Sequence, residues 1–414
     1  MKNKSVRSLS FSADEEDVSC LKKETKIFIE KIKRQIKKRK VDVEVFVGGS
    51  FAKGTLAKQE NYDVDIFVRF NKSYKNISDL LEKILKGTKE KFERVHGSRD
   101  YFKVEKIKKL TFEIVPVRKI KSAKEANNVT DLSYFHVNYV KKKLSKKMGQ
   151  EVAMAKQFCK AQRVYGAESY INGFSGYALE CLIIYYKTLN KMLKGLLKVK
   201  GKLVIDSAGH YKRKENVFVE INESKTRGPV ILVDPTFKER NVLAALNKET
   251  FEKFQDAGRK FLKNPSEKFF VFEKVDIEKM KSKKGEFVHI ILETDRQEGD
   301  IAGTKLKKVS RFFVRELEKG FDILDREFVY SGGKKSDFYL LVKSRGEIMK
   351  RGPSVSMKKN VKRFKSRNKK VFSKGGVLYA KVKVPSIGEF LRGLIGKDKG
   401  KIKEMGVIKS SVRD

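Results

Sequence analysis

Phe46 to Phe70 reads FVGGSFAKGTLAKQENYDVDIFVRF, and the fold turns on how this stretch is read. Just before and into it, Val43, Val45 and Val47 alternate with Glu44 and Phe46, the period of two expected of a strand. Gly48-Gly49-Ser50 breaks the run and predicts a glycine-rich turn. Glycine tolerates positive φ and lets backbone N–H groups approach an anion. Ser50 adds a hydroxyl donor and Lys53 a nearby positive charge. A connector leads to a second strand, Tyr62 to Val68. Residues two apart on a strand share a face, so Asp63 and Asp65 point one way and Val64, Ile66 and Val68 the other. Neighbouring carboxylates repel unless a cation lies between them. Hard oxygen ligands suit Mg²⁺, which completes its shell with water and substrate phosphates. The pattern therefore predicts a phosphoryl-transfer site. The plainer alternative is a solvated Gly-Ser turn with two surface acids; D-x-D on an otherwise apolar strand favours the site.

Composition bounds the rest. At 414 residues the chain holds roughly two to four domains. Its apolar fraction of 40% is enough for real cores, and its charged fraction of 36% is high. Lys and Arg outnumber Asp and Glu by 96 to 52, a formal charge of +44. Self-repulsion of that size is tolerable with a polyanionic partner, and nucleic acid is the expected one, since phosphate contacts dominate such binding. A lysine-rich thermophilic or halotolerant composition is the alternative. No apolar run of about 18 residues occurs, so no membrane span is expected. The N-terminal MKNKSVRSLSFSADEED lacks the apolar core of a signal peptide. The three cysteines form no C-x-x-C, which argues against zinc or a disulfide framework. A cytoplasmic location follows as an expectation.

Along the chain, residues 1 to about 14 form a polar, mobile arm. Helices are predicted from Leu21 to Lys40 and from Ile77 to Val95. In the strand Leu110 to Val117, Leu110, Phe112 and Ile114 share a face and Glu113 stands on the other; Pro116 should end the strand or place it at an edge. A basic helix from Asp131 to Gly149 carries Phe135 and His136 near its start. Met154, Phe158 and Val164 suit a buried helical stripe ending at Gly166. Ser175 caps an apolar helix running through Tyr186. Lys198 to Lys214 reads as a loop or hairpin, Val230 to Val233 as a buried strand, Lys248 to Lys263 as a helix and Asn264-Pro265-Ser266 as a linker. Beyond it come a strand Phe287 to Leu292, a helix Lys305 to Phe321, and strands Arg326 to Tyr330 and Asp337 to Lys343 joined at Gly332-Gly333. Residues 345–414 carry 21 Lys/Arg against 5 Asp/Glu, and Lys358 to Lys374 contains no acid. A strand, Val377 to Val384, and an apolar helical turn at Phe390-Leu391-Leu394-Ile395 follow, so the basic run lies inside folded structure and reads as an RNA-backbone surface. The fold class is α+β, multidomain.

Gly49, Ser50, Gly54 and Thr55 followed by Asp63 and Asp65 resemble the polymerase-beta-type nucleotidyltransferase superfamily. Later segments resemble one branch, the archaeal-type (class I) CCA-adding enzymes, over about residues 20 to 400. The resemblance implies a third carboxylate on a later strand. That maps onto Glu113, where the family more often has Asp. Asp63, Asp65 and Glu113 would then bind two Mg²⁺ ions, and Glu113 would hold the metal that activates the RNA hydroxyl or accept its proton. It also implies a nucleotide site. Ser50 and Lys53 belong to the first motif. His136 closes Asp131-Leu132-Ser133-Tyr134-Phe135-His136, where the family has Arg-Thr-Pro-x-His. Lys156 and Tyr165 match the family's triphosphate contacts in type and separation. Gly173-Phe174-Ser175-Gly176-Tyr177 is shared with poly(A) polymerases. Val233-Asp234-Pro235 with Arg240-Asn241-Val242 is similar to the archaeal branch alone, and places Arg240 against the incoming base. Its guanidinium can donate to acceptors on cytosine and adenine, leaving a donor edge of guanine unmatched. Gly352-Pro353-Ser354-Val355 is likewise similar to the family's C-terminal region.

The implied architecture is a polymerase-beta-like catalytic head (residues 1–140), a helical and α+β central nucleotide- and substrate-binding domain (141–266), an α+β body (267–346) and a basic tail (347–414). The implied activity is template-independent addition and repair of CCA at the tRNA 3′ end from CTP and ATP, releasing pyrophosphate. Body and tail would grip the acceptor and TΨC arms. The sequence admits a homodimer. A poly(A) polymerase or other RNA-tailing enzyme is the alternative of the same chemistry; a non-catalytic RNA-binding pseudoenzyme is the alternative without it.

Overall fold

A computed structural model describes residues 10–106 and 110–413 of the chain; the first part of the polar arm, residues 1–9, lies outside them. The chain divides into two compact units, Met1–Ala167 with Ile171–Phe272, and Glu168–Tyr170 with Glu273–Asp414.

The first unit opens with α1 (Glu15–Lys38), which buries Leu21, Thr25, Phe28 and Ile32 at helical spacing. Three acids in its first turn and Lys37 and Lys38 in its last complement the helix dipole. It begins before Leu21 because those acids extend it. Strands β1 (Val43–Val47) and β2 (Tyr62–Phe70) flank a one-turn helix α2 (Gly49–Lys53) that replaces the predicted turn. Then come α3 (Ile77–Lys86), β3 (Glu93–Val95), β4 (Tyr101–Glu105) and β5 (Leu110–Arg118). The helix expected to reach Val95 stops at Lys86. Thr88 Oγ1 donates back to the Leu85 carbonyl at 2.7 Å, and Lys89 turns left-handed with φ 61°.

The strands form one sheet in the order β1-β2-β5-β4-β3, with β2 and β5 parallel. Pro116 does not end β5, but it lies where the strand has become an edge on the β4 side, as expected. It stays paired with Val68 on the β2 side, whereas the β4 ladder has already ended at Phe102–Ile114. Its carbonyl accepts from Arg99 Nη1 at 3.3 Å on that vacated side, so the missing N–H breaks no ladder bond. One face of the sheet packs Val64, Ile66, Val68, Phe102, Phe112 and Ile114 against α1 and α3, with Phe28 stacked on Phe112 at 4.7 Å. The other face is left for chemistry.

The predicted helix 131–149 is three pieces. After a 3₁₀ turn, Val129–Leu132, come α4 (Ser133–Lys143) and α5 (Lys146–Ala161). The chain is extended at Leu144, and Ser145 caps α5 by accepting the Met148 N–H at 3.3 Å. α5 ends before Val164, because Arg163 is left-handed at φ 57°. α6 (Gly176–Tyr186) is capped by Ser175, as expected. α7 (Leu189–Leu197), β6 (Leu203–Ile205), α8 (Asn216–Glu220), β7 (Val230–Asp234), β8 (Phe237–Asn241) and α9 (Lys248–Lys263) complete the unit. β6, β7 and β8 form a three-stranded sheet, placing strand β6 in the predicted loop. Phe158, Phe174, Leu182 and Phe254 centre this core.

The second unit contains α10 (Ile277–Lys281), β9 (Glu286–Glu293), α11 (Asp300–Leu317), β10 (Phe321–Tyr330), β11 (Lys335–Ser344), β12 (Glu347–Ser354), α12 (Lys358–Arg367), β13 (Lys370–Lys374), β14 (Val377–Lys383), α13 (Ile387–Lys397), α14 (Lys399–Glu404) and β15 (Lys409–Arg413). Its sheets run β10-β11-β9-β15 and β12-β14-β13. Phe321, predicted to end a helix, instead opens β10. The basic α12 buries none of its residues. Among the described residues, no helix is long and apolar enough to cross a membrane.

Candidate active site

The open face of the first sheet carries the acids. Parallel register sets Asp65 beside Glu113 and Asp63 beside Thr111. Asp63 is exposed; Asp65 and Glu113 are half-buried; Val64, Ile66, Phe112 and Ile114 are fully buried behind them. The Gly48 N–H donates to the Asp65 carbonyl at 2.8 Å. Gly49 adopts φ +61°, and a Cβ there would lie 1.7 Å from Asp65 Oδ2. The start of α2 thus rests directly on the Asp65 carboxylate, which only glycine permits.

Burial raises all three acids, and neighbouring acids add to it at Asp65 and Glu113. Burial, then Glu113 and Asp63, push Asp65 up to about 7, with Lys53 opposing. Burial raises Glu113, and Asp63 adds to it. Asp63, although exposed at its edge, is partly desolvated against the sheet face, which raises its carboxyl against Lys103 and Lys160. Glu113 pairs with Lys103 of β4, Nζ to Oε1 3.4 Å. Among the described residues, no three His, Cys, Asp or Glu side chains are gathered closely enough to hold a metal ion. The predicted convergence is therefore of backbone positions and charge: Glu113 leans on a lysine, short of a closed ligand cluster. The donor set still fits a hard divalent cation: three carboxylates on one face, each shifted towards protonation chiefly by burial, which a bound cation would offset.

The predicted nucleotide-binding residues fall into two clusters. In the first, Lys53 Nζ meets Glu180 Oε2 at 2.8 Å, and Lys156 Nζ meets Glu180 Oε1 at 3.1 Å, Thr55 Oγ1 at 3.1 Å and the Thr55 carbonyl at 3.0 Å. Those contacts use all three Lys156 donors. A Cβ on Gly176 would lie 3.0 Å from Tyr165 Oη and 3.5 Å from Lys156 Cε, so Tyr165 and Lys156 meet at the start of α6. Ser50 is half-buried on α2, and its carbonyl accepts the Thr55 N–H at 3.0 Å.

The second cluster is built on Asp234. Its Oδ2 receives Arg240 Nη1 at 2.7 Å and contacts His136 Nε2 at 3.0 Å; its Oδ1 accepts from Tyr177 Oη at 3.1 Å and from the Thr236 N–H and hydroxyl, both at 2.8 Å. Burial alone would raise this carboxyl, but His136 and Arg240 hold it well below the usual range. Burial lowers His136, with Asp234 opposing. Tyr177 joins the clusters: its ring stacks on His136 at 4.0 Å and lies 5.3 Å from Lys53 Nζ and 6.0 Å from the Arg240 guanidinium.

Glu180, Asp234 and Tyr177 as hubs, and Lys103 and Lys160 as flanking cations, were not among the predicted site residues. Lys160 Nζ lies 5.4 Å from the Tyr165 ring and donates to Gln59 at 2.7 Å. One signal was present: Glu180 is a lone acid inside the apolar run YALECLIIYY.

Fold and site together define a nucleotidyltransferase. Residues 29–135 match the nucleotidyltransferase domain family, and residues 150–271 match the tRNA nucleotidyltransferase second-domain family. The CCA-adding enzyme of Nanoarchaeum equitans is 40% identical over 278 residues, 67% of each chain. That of Saccharolobus solfataricus is 32% identical over 320 residues, 75% of this chain and 74% of the relative. That of Thermoplasma volcanium is 26% identical over 339 residues, 77% and 71%. A solved structure of Cid1, described for RNA terminal uridylyl transferase activity, aligns with TM-score 0.50 at 13% identity over 64% of this chain and 95% of that one, a likeness of fold alone. The chain belongs to the CCA-adding enzyme family.

Proposed function

We propose that the open face of the first sheet adds C, C and A to the 3′ end of tRNA, using CTP and ATP and releasing pyrophosphate. The observation that carries the chemistry is the register pairing of Asp65 with Glu113, with Asp63 on the same face and Gly49 pressed against Asp65. Asp63, Asp65 and Glu113 would hold Mg²⁺, which when bound neutralises charge on the attacking and leaving oxygens.

The tRNA 3′-oxygen bonds to the α-phosphorus of the triphosphate, and the bond from that phosphorus to the bridging oxygen breaks. Glu113, shifted by burial towards protonation, takes the hydroxyl proton. Lys53 faces the triphosphate from the end of α2, and Lys160 and Tyr165 flank it from α5 and the segment after it. Lys156, fully engaged by Thr55 and Glu180, acts by fixing α2. Arg240, aimed by Asp234, meets the base. No covalent intermediate is required, and catalysis rests on positioning and charge. The exposed basic α12 of the second unit suits RNA phosphates, and A-form stems are recognised chiefly by shape and backbone.

Sequencing the product made on a tRNA lacking its 3′ CCA, with all four nucleoside triphosphates supplied, tests this reading. CCA followed by a stop supports it; a homopolymer tail, or no extension, contradicts it.

A further inference from the structure

We infer that Glu180 is a positioning residue for the incoming nucleoside triphosphate: from α6 it fixes, through Lys53 and Thr55, how α2 lies over the catalytic acids. The inference rests on the nucleotidyl-transfer reading above. Glu180 is 1% exposed and lies among Ala178, Leu179, Cys181, Leu182 and Ile183, all fully buried. An acid in such a place is costly unless fully partnered. It accepts from Lys53 at 2.8 Å, from Lys156 at 3.1 Å and from Thr55 Oγ1 at 2.6 Å. Burial alone would raise its carboxyl, yet the two lysines hold it down at about 2.

A buried ion cluster of this kind seldom adds stability over an apolar replacement of the same volume. What it supplies here is geometry. Thr55 is wholly buried and follows Gly54, whose left-handed φ of +69° ends α2. At the other end of the same single turn, Gly49 touches Asp65. Fixing Thr55 and Lys53 from α6, with Lys156 of α5 bracing the Thr55 carbonyl, therefore fixes the height of α2 above the carboxylates. The cluster sets two lysines on one acid, and burial pushes the more enclosed of them, Lys156, down. Lys53 is its outward member, close enough to Asp65 to depress that carboxyl and 5.3 Å from the Tyr177 ring. A triphosphate lying over α2 would meet a lysine whose direction Glu180 has already set.

The test is steady-state incorporation of CTP into tRNA lacking CCA by wild type, Glu180→Gln, Lys53→Met and the double variant, alongside thermal melts. Glu180→Gln keeps the shape but loses the charge and exchanges one of the two accepting oxygens for a donating amide. It should raise KM for CTP about tenfold or more while leaving KM for tRNA unchanged. The double variant should lose less than the product of the two single losses, because part of the glutamate's effect runs through that lysine and the rest through Thr55. Glu180→Asp, one methylene shorter, should not rescue, since it cannot span both lysines and Thr55. A variant that melts lower but keeps the wild-type KM for CTP overturns the inference, as does a double variant whose losses multiply. If Glu180→Gln does not fold, Thr55→Val carries the test, and an unchanged KM for CTP overturns the inference. Absence of incorporation by wild type would instead count against the nucleotidyl-transfer reading itself.

Discussion

Asp65 is the residue on which most of the local chemistry bears. Gly49 leans on it, Glu113 stands beside it in register, and Lys53 partly offsets its charge. Its carboxyl is pushed up to about 7 in the folded chain from 3.8, so without divalent cation the folded state binds the extra proton between those values. The ionised form then opposes folding: the penalty is absent below about pH 4, grows with rising pH and is complete above about pH 7. Asp65→Asn should therefore raise the Tm of chelated protein at pH 8 and leave it nearly unchanged at pH 4. Added Mg²⁺ should raise the wild-type Tm at pH 8 by mass action and that of the variant much less. Thermal melts at the two pH values check both outcomes. Arg240, fixed on Asp234 at 2.7 Å, belongs to the same scale. Arg240→Ala should let GTP and UTP compete with CTP and ATP, read by competitive incorporation, and Asp234→Asn should reproduce the effect by releasing the guanidinium.

At the scale of elements, α2 is a single turn whose placement depends on one glycine. Gly49→Ala puts a methyl where Asp65 Oδ2 now lies, at a backbone angle an L residue rarely adopts. Displacing α2 by about 1 Å should cost about 100-fold in incorporation, with melting only modestly lowered; rate and melt on the same preparation check it. The strands around α2 were legible because period-two alternation survives in Val43 to Val47 and Tyr62 to Val68. α2 itself was not, since five residues opened by a glycine carry no helical period. The break at Leu144-Ser145 was hidden by basic residues that suit a helix on either side. Glu113 was placed by resemblance and the strand pattern together, and the structure sets it beside Asp65. The hubs were hardest to see. Glu180 meets Lys53 across 127 positions and Asp234 meets His136 across 98, and no local pattern reports such partners.

The whole chain carries +44, and its second unit displays a helix, α12, with no buried residue and six basic ones in KKNVKRFKSR. Affinity for tRNA should therefore fall tenfold or more between 50 and 200 mM salt, by counter-ion release. KM for CTP should change far less, which titrations of the two substrates at each salt concentration would show. In the same unit β15 pairs with β9 at the edge of the four-stranded sheet. Deleting residues 409–413 leaves an unpaired edge on β9, and should lower the melting of the second unit, followed by hydrogen exchange at Val288 to Leu292, while the first unit keeps its protection.

The proposed transfer requires three acids acting as one catalytic set, and Glu113, the member paired with a lysine rather than drawn to the aspartates, is where that requirement is tested most directly. Single-turnover addition of CMP to tRNA lacking CCA, measured for Glu113→Ala with tRNA binding determined in parallel, should show binding retained and addition abolished. Addition at the wild-type rate would contradict it.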